Sequence, residues 1–254
     1  MKIIITNDDG IFGLGLFPLI KELSSLGEIF VIVPEKEMSA SSHSLSLSVP
    51  VRVRPIVFNN QKIHLVSGTP ADCVRIGFIQ FQKQKTDIVV AGINQGANLG
   101  QDVIYSGTVA AAREAMFLGI TGLAVSLVSG NDYVSVAKIV KEITKLVYMK
   151  KFKGLLNINF PSKNFKGIKI TTLGERRYEN VVYVKKDPLG FPYYWLKSDL
   201  VKNVNVNKDS DVYAVNNGYV SVTPIITDLT DKVEINSLSK IFSSFKIRKK
   251  FFKS

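Results

Sequence analysis

Residues 2–10 read KIIITNDDG, and this stretch sets the fold class. Ile3, Ile4, Ile5 and Thr6 are all β-branched, the composition of a short buried strand. Polarity then switches at once to Asn7, Asp8, Asp9 and Gly10. A strand ending in two adjacent carboxylates presents them at its C-terminal edge, where open α/β sheets bind ligands. Neighbouring carboxylates repel unless a cation, a proton or solvent separates them. One reading is a hard-metal site that handles a phosphate. Asn-Asp-Asp-Gly is also good turn chemistry, and the stretch alone leaves both readings open.

Working outward, Leu16, Leu19, Ile20 and Leu23 recur at helical spacing, and Gly27 closes that helix. Residues 28–34 (EIFVIVP) are a second, nearly all-apolar strand, so the first 34 residues predict a parallel, right-handed βαβ unit. The loop behind that strand carries Ser39, Ala40, Ser41, Ser42, His43 and Ser44 to the same edge as Asp8 and Asp9. It reads either as a flexible serine loop or as a hydroxyl ligand and phosphate donor beside the carboxylates. Residues 49–58 and 62–67 predict an antiparallel hairpin at the side of the core, turning at 59–61. Thr69, Pro70 and Asp72 form a helix start with a capping box, which gives Asp72 a structural role.

Residues 86–91 (TDIVVA) are a third buried strand. Gly92, Gly96 and Gly100 then punctuate a loop that carries Asn94 and Asn98. Such glycines let backbone approach a ligand, and asparagine offers a carbonyl oxygen suited to Mg²⁺, Mn²⁺ or Ca²⁺. Both asparagines are also turn formers. Ser106, Gly107 and Thr108 open an alanine-rich helix. Ser106 or Thr108 caps it, and the free amides at its start make an anion cradle. Strands at 121–127 and 155–160, with an amphipathic helix at 134–147, follow. Beyond about residue 166 the pattern changes to short strands at 167–172, 180–185, 192–197, 211–215 and 219–224, then a short helix around 238–245. Phe191, Tyr193, Tyr194 and Trp195 need cover from the core or from a partner chain.

Bulk composition narrows the function classes. With 254 residues, 46% hydrophobic and 21% charged, the chain has enough apolar sequence for a large core without a covalent or metal staple. A single cysteine, Cys73, excludes a disulfide framework and a cysteine zinc cluster, and fits a cytoplasmic protein. It reads as a small core residue rather than a nucleophile. The N-terminus lacks a signal-peptide pattern, and the absence of an 18-residue apolar run predicts no membrane span. The net charge of +12 fits an anionic substrate, a non-specific nucleic-acid surface or a lysine-rich proteome. Part of it is a basic tail: Lys246, Arg248, Lys249, Lys250 and Lys253. No nucleic-acid recognition motif appears, so no specific nucleic-acid partner is expected.

Several motifs in fixed order resemble the SurE (survival protein E) nucleotidase family. They are Asn7-Asp8-Asp9-Gly10, Ser39 through Ser44, Ser67 through Val74, Gly92 through Gly100 and Tyr105 through Ala112. Gly174 through Tyr178 and Gly218 through Pro224 extend the likeness over nearly the whole chain. The resemblance implies an α/β, Rossmann-like three-layer sandwich with a mainly parallel central sheet. It further implies one domain over residues 1–254: a catalytic core over 1–165 and a β-rich extension over 166–254 that exchanges between subunits of a homodimer or homotetramer. The implied activity is metal-dependent removal of phosphate from nucleoside 5′-monophosphates, extending to 3′-monophosphates and short polyphosphate. One divalent ion per subunit would sit on Asp8, Asp9, Ser39 and Asn94. Asn98, Ser106, Gly107 and Thr108 would line the phosphate site, with Ser42 of the serine loop beside them. Two departures are Ala40, where the family usually has glycine, and His43, where it often has asparagine.

The residue reading and the resemblance converge on a metal-activated water attacking phosphorus, with Asp8 or Asp9 as general base. One rival is a phosphatase working through an aspartyl-phosphate, although such enzymes space their aspartates at alternate positions. Another is a non-catalytic nucleotide-binding regulator.

Overall fold

A computed structural model of the chain describes residues 1–162, 165–201, 207–243 and 245. The basic tail at Lys246–Lys253 lies outside them. The first βαβ unit forms as its periodicity requires: β1 (Lys2–Thr6), α1 (Leu16–Leu23) and β2 (Glu28–Pro34), with β1 and β2 parallel. The hairpin β3 (Val53–Phe58) and β4 (Gln61–Val66) is antiparallel, and Asn59 and Asn60 both take positive φ in its two-residue turn. It extends the main sheet, because β4 pairs parallel with β2.

Helix α2 (Pro70–Ile76) begins with the predicted capping box between Thr69 and Asp72. Then come β5 (Ile88–Gln95), α3 (Gly107–Phe117), β6 (Thr121–Leu127), α4 (Tyr133–Met149) and β7 (Leu155–Phe160). β5 overruns the expected strand by four residues. The predicted glycine loop starts inside it, with a register shift between Ala91 and Asn94.

The sheet has nine strands in the order β3-β4-β2-β1-β5-β6-β7, continued by two late strands, β11 (Val220–Ile225) and β8 (Ile168–Ile170). Among the described residues of this sheet, only the β3–β4 and β7–β11 pairs are antiparallel. Successive isoleucines of β1 serve opposite layers. Ile3 and Ile5 pack with Leu16, Leu19 and Val136 from α1 and α4, while Ile4 packs with Val74, Val109 and Ala112 from α2 and α3. Burying one such side chain is worth about 1.5–3 kcal/mol, so the two-sided apolar reading of β1 describes what holds the three layers together.

The later chain departs from expectation at one element. Residues 211–215, expected as a strand, form helix α5 (Asp211–Asn216). Ser210 caps it by accepting from Tyr213 N–H at 3.2 Å, and Val212, Ala214 and Val215 are buried. So short an apolar run carries too few repeats to separate the two periods. The remaining elements are a separate hairpin, β9 (Tyr178–Lys186) with β10 (Pro192–Leu200), and α6 (Glu234–Phe242). Among the described residues, no helix is long and apolar enough to cross a membrane.

Candidate active site

β1 pairs with β2 on one side and with β5 on the other. Chain direction across the sheet reverses there, so the loops after β1 and β5 splay apart and leave a crevice. The opening stretch builds one wall of it. Asn7 Nδ2 donates to the Gly10 carbonyl at 2.8 Å, and Gly10 N–H donates to Asn7 Oδ1 at 3.0 Å. Gly10 holds φ +73°, a conformation that favours glycine. The turn and site readings are therefore one structure: Asn7 and Gly10 close the turn that presents Asp8 and Asp9.

Asp8 is 4% exposed. Its Oδ1 accepts the Thr108 hydroxyl at 2.5 Å, and its Oδ2 accepts Thr108 N–H at 3.1 Å. The start of α3 thus abuts Asp8, and Gly107 permits the approach: a Cβ there would lie 2.9 Å from Asp8 Cβ. The Asp8 carbonyl accepts Met38 N–H at 2.8 Å, tying the serine loop to the same place. Burial raises the Asp8 pKa against the opposing bonds from Thr108. Burial, Asp8 and Glu37 push Asp9 up to about 6. Asp9 Oδ2 is buried without a hydrogen-bond partner among the described residues. Among the described residues, no lysine, arginine or histidine forms a salt bridge with either aspartate.

A cavity of about 590 Å³ opens on this corner, lined by Asp8, Ser39, Asn94, Asn98 and Ser106. Ser39 Oγ donates to Glu37 at 2.7 Å. Asn94 turns its Nδ2 to the Gly96 carbonyl at 3.1 Å, which leaves its Oδ1 as an acceptor. A buried and a half-buried carboxylate without a salt-bridge partner among the described residues, a hydroxyl and an amide oxygen make a donor set that fits a hard divalent cation. Asn98 is held from three sides. Its N–H donates to Asn159, its carbonyl accepts from Asn157 and Asn159, and its amide bonds Ser126 Oγ at 2.8 Å. The Ser126 hydroxyl can give or take that bond, so either face of the Asn98 amide can point at a ligand.

The expected phosphate residues divide. Ser106 lines the cavity and caps α3 through Val109 N–H at 3.0 Å. Gly107 and Thr108 stand behind it, with the Thr108 hydroxyl engaged by Asp8. Ser42 does not reach the cavity wall: its Oγ donates to the Ile104 carbonyl at 2.8 Å and its N–H to Tyr105 at 2.9 Å. It pins the serine loop instead. The neighbouring Ser41 Oγ is buried without a partner among the described residues and would lie 3.0 Å from a Cβ on Gly107.

Sequence reasoning did not single out three further groups. Glu114 of α3, 1% exposed, binds Arg75 of α2 at 2.6 and 2.7 Å and His43 of the serine loop at 3.0 Å. Burial pushes its pKa up, but the bonds to His43 and Arg75 outweigh that and hold it below the usual range. Asp211, fully buried, accepts from Gly100 N–H at 2.9 Å and Gly174 N–H at 2.8 Å, so α5 anchors the end of the glycine loop. Asp102, Arg176 and Tyr178 extend the cavity wall toward β9. Asp102 stands four residues before Ser106, and Arg176 and Tyr178 lie in a quoted motif. No local pattern joins residues so distant in sequence.

Comparison with known proteins matches this architecture. The family model for survival protein SurE matches residues 3–180. The 5′-nucleotidase SurE of Natranaerobius thermophilus is 41% identical over 254 residues, covering 94% of this chain and 98% of the relative. That of Geotalea daltonii is 44% identical over 249 residues, with the same coverage. The crystal structure of the SurE protein from Aquifex aeolicus superposes with a TM-score of 0.80 at 35% identity, covering 95% of this chain and 99% of that one. The chain belongs to the SurE family.

Proposed function

We propose that the chain is a 5′-nucleotidase, a phosphomonoester hydrolase that releases phosphate from nucleoside 5′-monophosphates with one divalent ion per subunit. The observation that carries this reading is an adjacent Asp8–Asp9 pair with no salt-bridge partner among the described residues, of which the buried Asp8 abuts the amide end of α3 and lines the cavity. The name borne by the relatives, 5′-nucleotidase, supplies the substrate class. Asp8, Asp9, Ser39 and Asn94 would hold Mg²⁺, Mn²⁺ or Ca²⁺, whose chemistry is to polarise a phosphoryl oxygen and acidify a bound water.

The remaining work falls to the chain's own groups. Asn98, Ser106 and the Gly107 N–H take the phosphate oxygens where charge develops. Thr108 orients Asp8, and Ser42 fixes the loop that carries Ser39. Asp8 Oδ2, held among the described residues only by the Thr108 N–H, receives the proton of the attacking water. This cradle reads phosphate and not the position of the ester, so the proposal extends to 3′-monophosphates and short polyphosphate.

We read residues 1–254 as one domain, because β8 and β11 of the later chain belong to the core sheet. A second copy, as dimer or tetramer, covers the apolar residues exposed on β9, β10 and α6, among them Trp195, Leu196, Ile241 and Phe242. The free, buried Cys73 fits the cytoplasm as its place of action. A phosphate-release screen of AMP, GMP, 3′-AMP and tripolyphosphate against Mg²⁺, Mn²⁺ and Ca²⁺ tests the reading. Release from AMP that a chelator abolishes is the expected result; tight AMP binding with no release under any ion contradicts it.

A further inference from the structure

Residues 35–52 join β2 to β3 with no helix or strand of their own, and Ser39 stands near the start of that loop. A loop this long inside a compact fold needs fixing if one of its side chains is to keep its place. Its backbone also runs against its own preferences there. Ala40 and Ser42, on either side of Ser41, both take φ +55°, a left-handed conformation that residues with a Cβ seldom adopt. Such residues persist only where the surroundings hold them.

His43 supplies a hold. Its Nε2 meets Glu114 Oε2 at 3.0 Å, and its ring stacks on Phe117 of the same helix with centroids 5.5 Å apart. An ionised carboxylate only accepts, so Nε2 carries the proton. Glu114 cannot turn away, because Arg75 takes its other oxygen at 2.6 and 2.7 Å. Just before His43, Ser42 bonds the Ile104 and Tyr105 carbonyls. Just after it, the Ser44 carbonyl accepts the Thr69 hydroxyl at 2.7 Å. Of these three loop residues, His43 is the one whose bond ends on a carboxylate, the stronger kind of tie. Two members of the proposed ligand set then rest on α3. Thr108, in its first turn, holds Asp8, and Glu114, later in the same helix, holds the loop that carries Ser39. At 1.5 Å of rise per residue the two stand about 9 Å apart along one rigid axis.

We propose that His43 is a positioning residue for the metal site: gripped by Glu114, it holds Ser39 in place against Asp8, with α3 setting the position of both. The assignment rests on the metal-dependent reading above. A bond that merely stabilised the fold would raise the unfolding midpoint and leave the affinity of the folded protein for a cation unchanged.

The test is titration calorimetry of Mn²⁺ on the full chain and on His43→Ala, His43→Gln, Ser39→Ala and the His43→Ala/Ser39→Ala pair, with phosphate release from AMP measured in parallel. His43→Ala should weaken Mn²⁺ binding about tenfold, the lower end for a partner that orients a metal ligand. His43→Gln, whose amide Nε2 can still donate to Glu114, should recover most of that loss. In the Ser39→Ala background the His43→Ala change should cost less than about twofold, because the two residues act as one. A second arm uses the native chain and needs no variant to fold. The chain has two histidines, so its imidazole NMR signals belong to His43 or to His64. His64 lies on β4 with Nδ1 against the Val31 carbonyl at 3.2 Å. Coupling is reciprocal, so Mg²⁺ should shift the His43 signals and leave those of His64 in place. Unchanged His43 signals, native Mn²⁺ affinity in folded His43→Ala, or an equal loss in both backgrounds overturns the positioning role. Any of these alongside Mn²⁺-dependent phosphate release refutes that role alone. His43-dependent Mn²⁺ binding without phosphate release upholds it and refutes the nucleotidase reading. A native chain that binds no Mn²⁺ refutes both.

Discussion

Replacing Thr108 by valine separates support of Asp8 from contact with phosphate. The change removes one hydroxyl and keeps side-chain shape and the backbone N–H. Thr108 is fully buried, and its hydroxyl meets Asp8 Oδ1 at 2.5 Å. A hydrogen bond to a charged group contributes about 1.5–3 kcal/mol, whereas a neutral one contributes roughly 1. In the metal-free protein Asp8 already binds protons more readily than a free carboxylate, because burial outweighs its bonds. Without the hydroxyl it sheds charge by protonating, which limits the stability loss to about 1–2 kcal/mol near neutral pH. A cation would need the ionised, oriented form. Losing an outer-shell partner of a ligand typically costs 10–100-fold in metal affinity. Thr108→Val should therefore weaken Mn²⁺ binding by about that factor, as read by titration calorimetry, and lower the denaturant midpoint modestly. Binding of inorganic phosphate at saturating Mn²⁺ should change little. Unchanged Mn²⁺ affinity with weakened phosphate binding would refute the reasoning and return Thr108 to the phosphate cradle.

Other outcomes follow from the same geometry. Glu114→Ala strands His43 and Arg75; removing one member of a buried pair costs about 3–5 kcal/mol, reduced here to about 2–3 because Arg75 is 44% exposed, and chemical unfolding reads it directly. Asp9 has a folded pKa of about 6 against an ordinary 3.8, so its charging penalises the metal-free folded state as pH rises from about 4 to 6. Asp9→Asn should match the native stability near pH 4 and exceed it above pH 6 by about 1–2 kcal/mol, a margin lowered by partial solvent screening. Saturating Mn²⁺ should erase that margin. Gly107→Ala forces a methyl against Asp8 Cβ, which should cost about 1–3 kcal/mol in stability and about 100-fold in turnover through displacement of Asp8.

The strands that organise the sheet were legible because each is a short β-branched run buried on both faces, as in β1 and β2. The capping box of α2 was legible because its signal lies within four residues. Asp8, Ser39, Asn94, Asn98 and Ser106 could be grouped because parallel strands deliver their trailing loops to one edge. What pattern could not supply was how each hydroxyl is used. Ser42 and Thr108 sit among hydroxyl-rich neighbours, yet one binds a carbonyl and the other Asp8. Long-range polar contacts were equally hidden: Asp102 with Arg176, and Asp211 with Gly100, join residues that no local period relates. At α5 the run DVYAVN was too short for its period to distinguish helix from strand.

In the proposed mechanism Asp8 and Asp9 form the reacting half of the site. The most direct test is turnover of AMP by Asp8→Asn with Mn²⁺, with folding checked by the unfolding midpoint. The variant should fold and its phosphate release should fall by at least about 100-fold, the lower range for a general base. A folded Asp8→Asn protein that releases phosphate at the native rate would contradict it.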